Sequence, residues 1–250
     1  MDPGLYLWTL RGASALLLAL AVFALGRRSA SAWLAAAGAV PGLLPAAART
    51  FQVGHLPLAG LHETLLTFGV CFPLVSALAC LRRGAVRAYG LCLMASAALL
   101  GLATLAPVRP TPLVPALQTL WFEVHVTSSF FAYACFGLGA CAAVLELGRV
   151  GQGQEAGIIA SAHRWGFAWF TWAMVSGGIW AYLAWGTYWL WHVKELWSGI
   201  LWTYYAGAVH LPYVAGWRGR RQAGLSLVGF GLVLFTYLGV GLFMRNTHQF

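Results

Sequence analysis

Long apolar stretches alternate along the whole chain with short polar breaks, and the charges gather in the breaks as small arginine clusters. Each stretch is close to the roughly 20 residues that a helix needs to cross a bilayer core. The pattern predicts eight spans, at 5–25, 30–48, 60–81, 86–106, 121–147, 165–186, 195–217 and 225–244. The second carries Pro41, Gly42 and Pro45, which kink it; bundled membrane helices tolerate such breaks. Connections are short, with no linker, internal repeat or low-complexity tract. The expected fold is all-α, a polytopic membrane helix bundle of about eight transmembrane helices, forming one integral-membrane domain over residues 1–250.

Composition sharpens this picture. Hydrophobic residues make up 60% of the chain and charged residues 8%, too few charges to cover a soluble domain of this length. The formal net charge of +9 needs no nucleic acid, because arginines in short loops account for it and no basic run is interleaved with aromatics. Arg27, Arg28, Arg82, Arg83, Arg87, Arg149, Arg164, Arg218, Arg220 and Arg221 share one set of loops. The opposite set has only Arg49, Arg109, Lys194 and Arg245, with Arg11 inside the first span. This bias places the first set in the cytoplasm and both termini outside, together with loops 49–59, 107–120 and 187–194. The first segment is expected to stay as a span, since it lacks the flanks of a cleavable signal. Cys71, Cys80, Cys92, Cys135 and Cys141 lie in apolar runs, with neither a CxxC pair nor a CxxCH attachment motif, and read as small buried residues.

Nine of the thirteen tryptophans fall between Trp165 and Trp202. An interfacial aromatic belt explains two or three at a helix end. This density in one outer loop and its flanks suggests instead a flat aromatic shelf that stacks on a large planar ligand.

The core of that segment, Trp185-Gly186-Thr187-Tyr188-Trp189-Leu190-Trp191-His192-Val193-Lys194-Glu195-Leu196-Trp197-Ser198, resembles the external signature WGxYWxWDPKExWS of haem-handling cytochrome c assembly proteins. The Lys-Glu pair is similar to the system II branch, the membrane subunit of the synthetase that attaches haem to apocytochrome c. Leu113 to Gln118 leading to Trp121, His125-Val126 and Tyr133 resembles the segment before that family's first external histidine. Tyr237 to Val240 leading to His248 resembles its closing segment, and Leu61 to Leu66 is a looser match. The chain departs from the signature twice, with His192 in place of Asp and Val193 in place of Pro.

The resemblance implies haem b as cargo, and apocytochrome c, a companion membrane subunit and a thiol-reducing protein as partners in a lipid bilayer, expected to be a bacterial plasma membrane. His125 and His248 match the external haem-ligand pair, on the face where the topology puts Trp185, Tyr188, Trp189, Trp191 and Trp197. His210, near the inner side of the seventh span, matches the inner haem-ligand histidine, whose partner comes from a companion portion, with His163 a local substitute. The residues leave several roles open. His192 is weighed as a third ligand, a propionate donor or a tolerated loop residue; Lys194 and Arg245 as propionate partners or snorkelling cations; Glu63 as a pocket carboxylate or an interface residue. His55 reads as a plain loop residue. No nucleophile stands out, so catalysis by this chain would consist of positioning and water exclusion. Three other functions compete: an integral b-type cytochrome that keeps its haem, a non-enzymatic regulator of tetrapyrrole synthesis, and a transporter without haem.

Overall fold

In lipid every backbone N–H and C=O must pair inside its own segment, so apolar runs of this length have one outcome. The computed structural model describes residues 3–26, 32–108, 113–151 and 154–239, and every regular element among them is helical. The helices are α1 (Pro3–Leu25), α2 (Ala32–Ala39), α3 (Leu43–Val53), α4 (Leu61–Arg83), α5 (Val86–Ala103), α6 (Leu120–Gly148), α7 (Glu155–Trp185), α8 (Val193–Ala208) and α9 (Arg220–Leu234). Short 3-10 turns lie at Pro115–Leu117 and Leu211–Tyr213, and a π-helical turn, Phe235–Gly239, continues α9. Six segments are long and apolar enough to cross a membrane: Gly4–Leu25, Trp33–Val53, Leu61–Arg83, Val86–Ala103, Leu120–Gly148 and Arg220–Gly239. The protein is a multi-pass membrane helix bundle.

The chain divides into two compact units, residues 1–113 and 114–250. In the first, α1 and α4 pack on α5, while α2 and α3 pack on α4 and α1. Tyr6, Leu10, Ala13, Leu17, Ala21 and Ala24 are buried at steps of three and four along α1, one helical stripe turned inward. Leu5, Trp8, Leu16, Leu18 and Val22 on its other sides are exposed, as lipid-facing side chains are. Small residues allow the close approaches: a Cβ on Gly90 would sit 3.0 Å from Leu25 and 3.2 Å from the Ala21 carbonyl.

In the second unit α6 and α7 form a long hairpin, and α8 and α9 complete the packing around them. At 29 and 31 residues the two hairpin helices reach about 43 and 46 Å at 1.5 Å per residue, well beyond a hydrocarbon core about 30 Å thick. Phe136 of α6 lies flat on Tyr205 of α8, centroids 3.5 Å apart and planes 8° from parallel. Its other side fills the space that a Cβ on Gly166 of α7 would need.

Three boundaries differ from the sequence-based expectation. The second span is two helices, because the chain breaks at residues 40–42 before Pro45 enters the first turn of α3, where a missing N–H costs little. Helix α7 begins ten residues before the expected 165, and Arg164 rides on its exposed side. Helix α8 stops at Ala208 instead of running to 217, because Pro212 offers no N–H and disfavours helical geometry in the residue before it.

Candidate functional site

The aromatic segment spans the turn from α7 to α8. Gly186 ends α7 in the left-handed region at φ 75°, and its N–H reaches the Tyr182 carbonyl at 2.8 Å. The Glu195 carboxylate then organises the turn, its Oε2 accepting from the backbone N–H of Leu190 at 2.8 Å and of His192 at 3.1 Å. Trp191 sits between them at φ 59°, a region that a bulky side chain seldom enters, and it is 72% exposed. An exposed tryptophan held in such a backbone conformation is a feature of binding sites more than of packing.

The tryptophans do not make one flat shelf. Trp165, Trp169 and Trp172 form an exposed stripe along α7, the lipid-facing pattern, and Trp202 donates to Thr171 Oγ1 at 3.0 Å. Two pairs of the remaining tryptophans meet edge to face. Trp180 and Trp185 stand 4.9 Å apart at 66°, and Trp189 and Trp191 6.1 Å apart at 81°. Trp197 packs on Phe235 of the π-helical turn at 4.5 Å, and Tyr188 stacks on Tyr182 at 4.6 Å. Edge-to-face contacts satisfy the ring quadrupoles better than one coplanar sheet would. Trp189 Nε1 is buried without a partner, an unused donor within this cluster.

His125, in the second turn of α6, joins the same group of rings. It stacks on Trp180 with centroids 5.9 Å apart and planes 14° from parallel. Trp180 is itself fixed, its Nε1 donating to the Ala116 carbonyl at 2.7 Å. The His125 Nδ1 lies 2.8 Å from the Ala173 carbonyl. A carbonyl only accepts, so Nδ1 carries the proton and the lone pair is on Nε2, the tautomer a metal-binding imidazole needs. The ring lies against bare backbone, since a Cβ on Gly177 would come 2.5 Å from Nδ1. The sequence singled out His125 and placed Trp180 at the start of the dense tryptophan stretch, 180–198, but gave no sign of Ala173 or Gly177 on the neighbouring helix.

His210 follows α8 by two residues in an exposed turn and is not inside a continuing helix. Its Nδ1 is 2.7 Å from the Ala206 carbonyl, so it too has its lone pair on Nε2. His163 is fully buried, with Nε2 3.0 Å from Ser226 Oγ. Lys194 is exposed at the start of α8. His248 and Arg245 lie outside the described residues. Among the described residues no group of three or more His, Cys, Asp or Glu side chains gathers around a metal-sized space; a porphyrin supplies four nitrogens and asks the protein only for axial ligands.

In the first unit Glu63 is buried and paired, with Oε1 accepting from Arg49 Nε at 3.0 Å and Nη2 at 2.9 Å, and Oε2 from the Ala59 N–H at 3.2 Å. His62 beside it is also buried. Its Nδ1 lies 2.7 Å from the Ala103 carbonyl, and its Nε2 accepts from the Tyr6 hydroxyl at 2.7 Å. Arg49, expected in a loop, belongs to α3.

The structure explains the two departures at residues 192 and 193. His192 is the N-cap of α8 and Val193 its first residue, with Glu195 at the third position. Aspartate at a cap, proline just after it and glutamate at the third position are helix-start residues. Their replacement alters the start of α8 and none of the aromatic residues themselves. Changing His192 to Asp and Val193 to Pro together is therefore expected to stabilise the protein by about 0.5–2 kcal/mol. Thermal unfolding in detergent measures it, and a lower midpoint in the double variant would refute the capping role.

Comparison with known proteins follows the same residues. The family described as Cytochrome C assembly protein matches residues 58–248. A protein named Cytochrome c biogenesis protein CcsA from Chlamydomonas reinhardtii is 32% identical over 217 residues, covering 79% of this chain and 61% of its own. The protein of that name from Heterosigma akashiwo strain NIES-293 is 30% identical over 189 residues, covering 57% and 59%. The one from Synechococcus sp. strain CC9605 is 31% identical over 249 residues, covering 81% and 80%. The chain thus spans about six-tenths of the length of the first two relatives.

Proposed function

The chain belongs to the cytochrome c assembly protein family, and from that membership we propose that it presents haem on the outer face of the membrane for attachment to apocytochrome c. The observation that carries this reading is His125. Its Nδ1 proton is committed to the Ala173 carbonyl, its ring is held between Trp180 and the backbone at Gly177, and its Nε2 has the lone pair that haem iron takes. His248 is the proposed second axial ligand. Trp185, Tyr188, Trp189, Trp191 and Trp197 surround the macrocycle, with the unused Trp189 N–H and the Lys194 ammonium available to its carboxylates, and Arg245 in the same role.

The haem is cargo. This chain would hold its plane, shield it from water and aim its vinyl groups at the two thiols of a CxxCH segment. The thiols come from the apocytochrome, kept reduced by a thiol-reducing protein. His210, with its lone pair outward at the end of α8, is the proposed inner loading ligand. Its axial partner comes from a companion membrane subunit, since His163 is bonded to Ser226 inside the core. Haem b is the proposed cargo, and a bacterial plasma membrane the proposed location. The arginine bias supports the outward orientation of the aromatic loop, and pairing with Glu63 takes Arg49 out of the external count.

Exchange tests the reading. Purified protein loaded with haem is expected to show a low-spin bis-imidazole spectrum at one external haem, and to lose that haem to added reduced apocytochrome in the presence of its companion subunit. Haem retained through repeated redox cycling with no transfer would replace this function with that of a membrane b-type cytochrome.

A further inference from the structure

In the second unit the end of α6 and the start of α9 meet at a corner that gathers arginine. Arg149 is the C-cap of α6, and Arg218, Arg220 and Arg221 stand at the start of α9. Arg220 joins the two helices, its Nη1 donating to the Leu147 carbonyl at 3.2 Å. Arg218 Nε donates to the Pro212 carbonyl at 2.9 Å, and Arg221 Nη1 to the Gly216 carbonyl at 3.4 Å. The Arg221 guanidinium also lies over the Trp217 ring, 5.9 Å from its centroid. Arg149 sits at φ 54°, a left-handed position that glycine fills at less cost. All four arginines are exposed, and among the described residues none of them pairs with a carboxylate. Glu146 reaches the same corner, where a Cβ on Gly219 would be 3.2 Å from its Oε1, yet it too forms no ion pair there. The loop from α8 to α9 is compact, with the Tyr213 N–H on the His210 carbonyl at 3.0 Å and the Trp217 N–H on the Val214 carbonyl at 3.2 Å. It carries Tyr213 and Val214 75% and 47% exposed beside the arginines.

The bias of basic residues towards one side of a membrane accounts for the charge of this corner but not for its form. Lysine or arginine satisfies that bias equally, in any side-chain direction. Here three guanidinium groups are each fixed by one N–H to a backbone carbonyl, which leaves the other donors of each to a ligand. Such planar forks match the oxygens of a phosphate two at a time, as an ammonium does not. The N-cap of α9 is Gly219, which has no capping side chain, so the first N–H groups of that helix add to the positive potential. Exposed apolar side chains beside the cations give contact at the depth where a headgroup joins its acyl chains. Fixed guanidinium groups and apolar exposure together fit a lipid whose headgroup carries a net negative phosphate.

We infer that this corner binds the headgroup of an anionic phospholipid. Arg218 and Arg221 make the phosphate contacts, Arg149 and Arg220 supply charge around them, and Tyr213 and Val214 meet the start of the acyl chains. The site lies wholly in the second unit and does not rest on the haem-presenting function.

Haem-free full chain, reconstituted in mixed phosphatidylcholine and phosphatidylglycerol bilayers and gently extracted, tests it by native mass spectrometry of the lipid retained. One phosphatidylglycerol is expected to stay bound, preferred over phosphatidylcholine on the order of tenfold or more, since each basic residue at an anionic surface contributes roughly fivefold. Arg218→Gln with Arg221→Gln is expected to bring the two lipids near parity. Arg218→Lys with Arg221→Lys keeps the charge but loses the forks, and is expected to lose most of the preference. Arg82→Gln with Arg83→Gln removes the same charge from the first unit and is expected to leave the preference unchanged. Equal retention of both lipids by the unaltered protein would overturn the proposal. So would full preference in the folded lysine variant, or an equal loss in the Arg82 and Arg83 variant, either of which reduces the corner to diffuse charge. Two competitors complete the test. Lipid displaced by inorganic phosphate would make this a soluble-anion site, and lipid displaced by haem would give the arginines to the haem carboxylates; either result overturns the proposal. Should a variant misfold, the preference and both competitions in the unaltered protein decide.

Discussion

Replacing Gly177 by Ala is expected to strip haem from the proposed external site nearly as effectively as replacing His125 by Ala, although Gly177 offers iron nothing. A Cβ at 177 would come 2.5 Å from His125 Nδ1, 2.7 Å from Cε1 and 3.3 Å from Cγ. The imidazole cannot tilt freely away, because Trp180 stacks on it and is pinned through its own indole N–H to the Ala116 carbonyl. The hydrogen bond from Nδ1 to the Ala173 carbonyl then breaks first. Overpacking of this kind costs about 1–3 kcal/mol, and removing the bond that orients a metal-binding imidazole lowers metal affinity about 10–100-fold. Haem-to-protein ratio and the reduced spectrum read the effect. Gly178→Ala is the control, because a Cβ there meets the Tyr188 carbonyl at an ordinary 3.6 Å and should leave the spectrum unchanged. Added imidazole separates the two variants. In His125→Ala it fills the empty coordination position and restores low-spin iron; in Gly177→Ala the displaced ring still blocks the approach. A normal spectrum in Gly177→Ala would mean that iron does not use His125 in this pose.

How much of this was legible in the chain varies with the physics involved. The helical class and the membrane environment followed from apolar length and arginine placement, because the bilayer leaves the backbone no alternative. Helix ends were less legible. The segment from Glu155 to Arg164 carries charge and reads as a loop, yet it extends α7, because Ile158, Ile159, Ala162 and His163 recur at helical spacing and bury one face while Arg164 stays exposed. Pro212 stopped α8 early, by a local rule that the apolar run around it concealed. At the site, His125 was found through its motif and Trp180 through the tryptophan-rich stretch it opens, but Ala173 and Gly177 act from another helix, and no local pattern announces them. The departures at 192 and 193 read as changes of chemistry until the structure put them at the cap and first residue of α8. Pairing across a loop was invisible altogether: Arg49 looked like an external loop charge and Glu63 like a lone carboxylate, 14 residues away.

That pair supports the second large effect, this time on stability. Breaking it from either side, with Arg49→Met or Glu63→Leu, is expected to destabilise the first unit by about 3–5 kcal/mol, the usual cost of stranding one member of a buried ion pair. The side chains are 4% and 7% exposed, so water cannot take the missing partner's place without opening the packing of α3 on α4. Glu63 has more to lose than its charge partner shows, because its Oε2 also accepts from the Ala59 N–H at the entry to α4. The neighbouring bond from Tyr6 to His62 ties α1 to α4 and is expected to survive either change, which confines the loss to α3 and the 54–60 turn. Replacing both residues, Arg49→Met with Glu63→Leu, removes both charges at once and is expected to recover most of the stability, since an apolar pair of similar volume commonly matches a buried ion pair. The remainder is the unpaired Ala59 amide. Unfolding midpoints of the two single variants and the double variant form a cycle whose coupling term measures the pair directly. Additive effects, with no recovery in the double variant, would show that Arg49 and Glu63 are held apart by the rest of the fold and contribute independently.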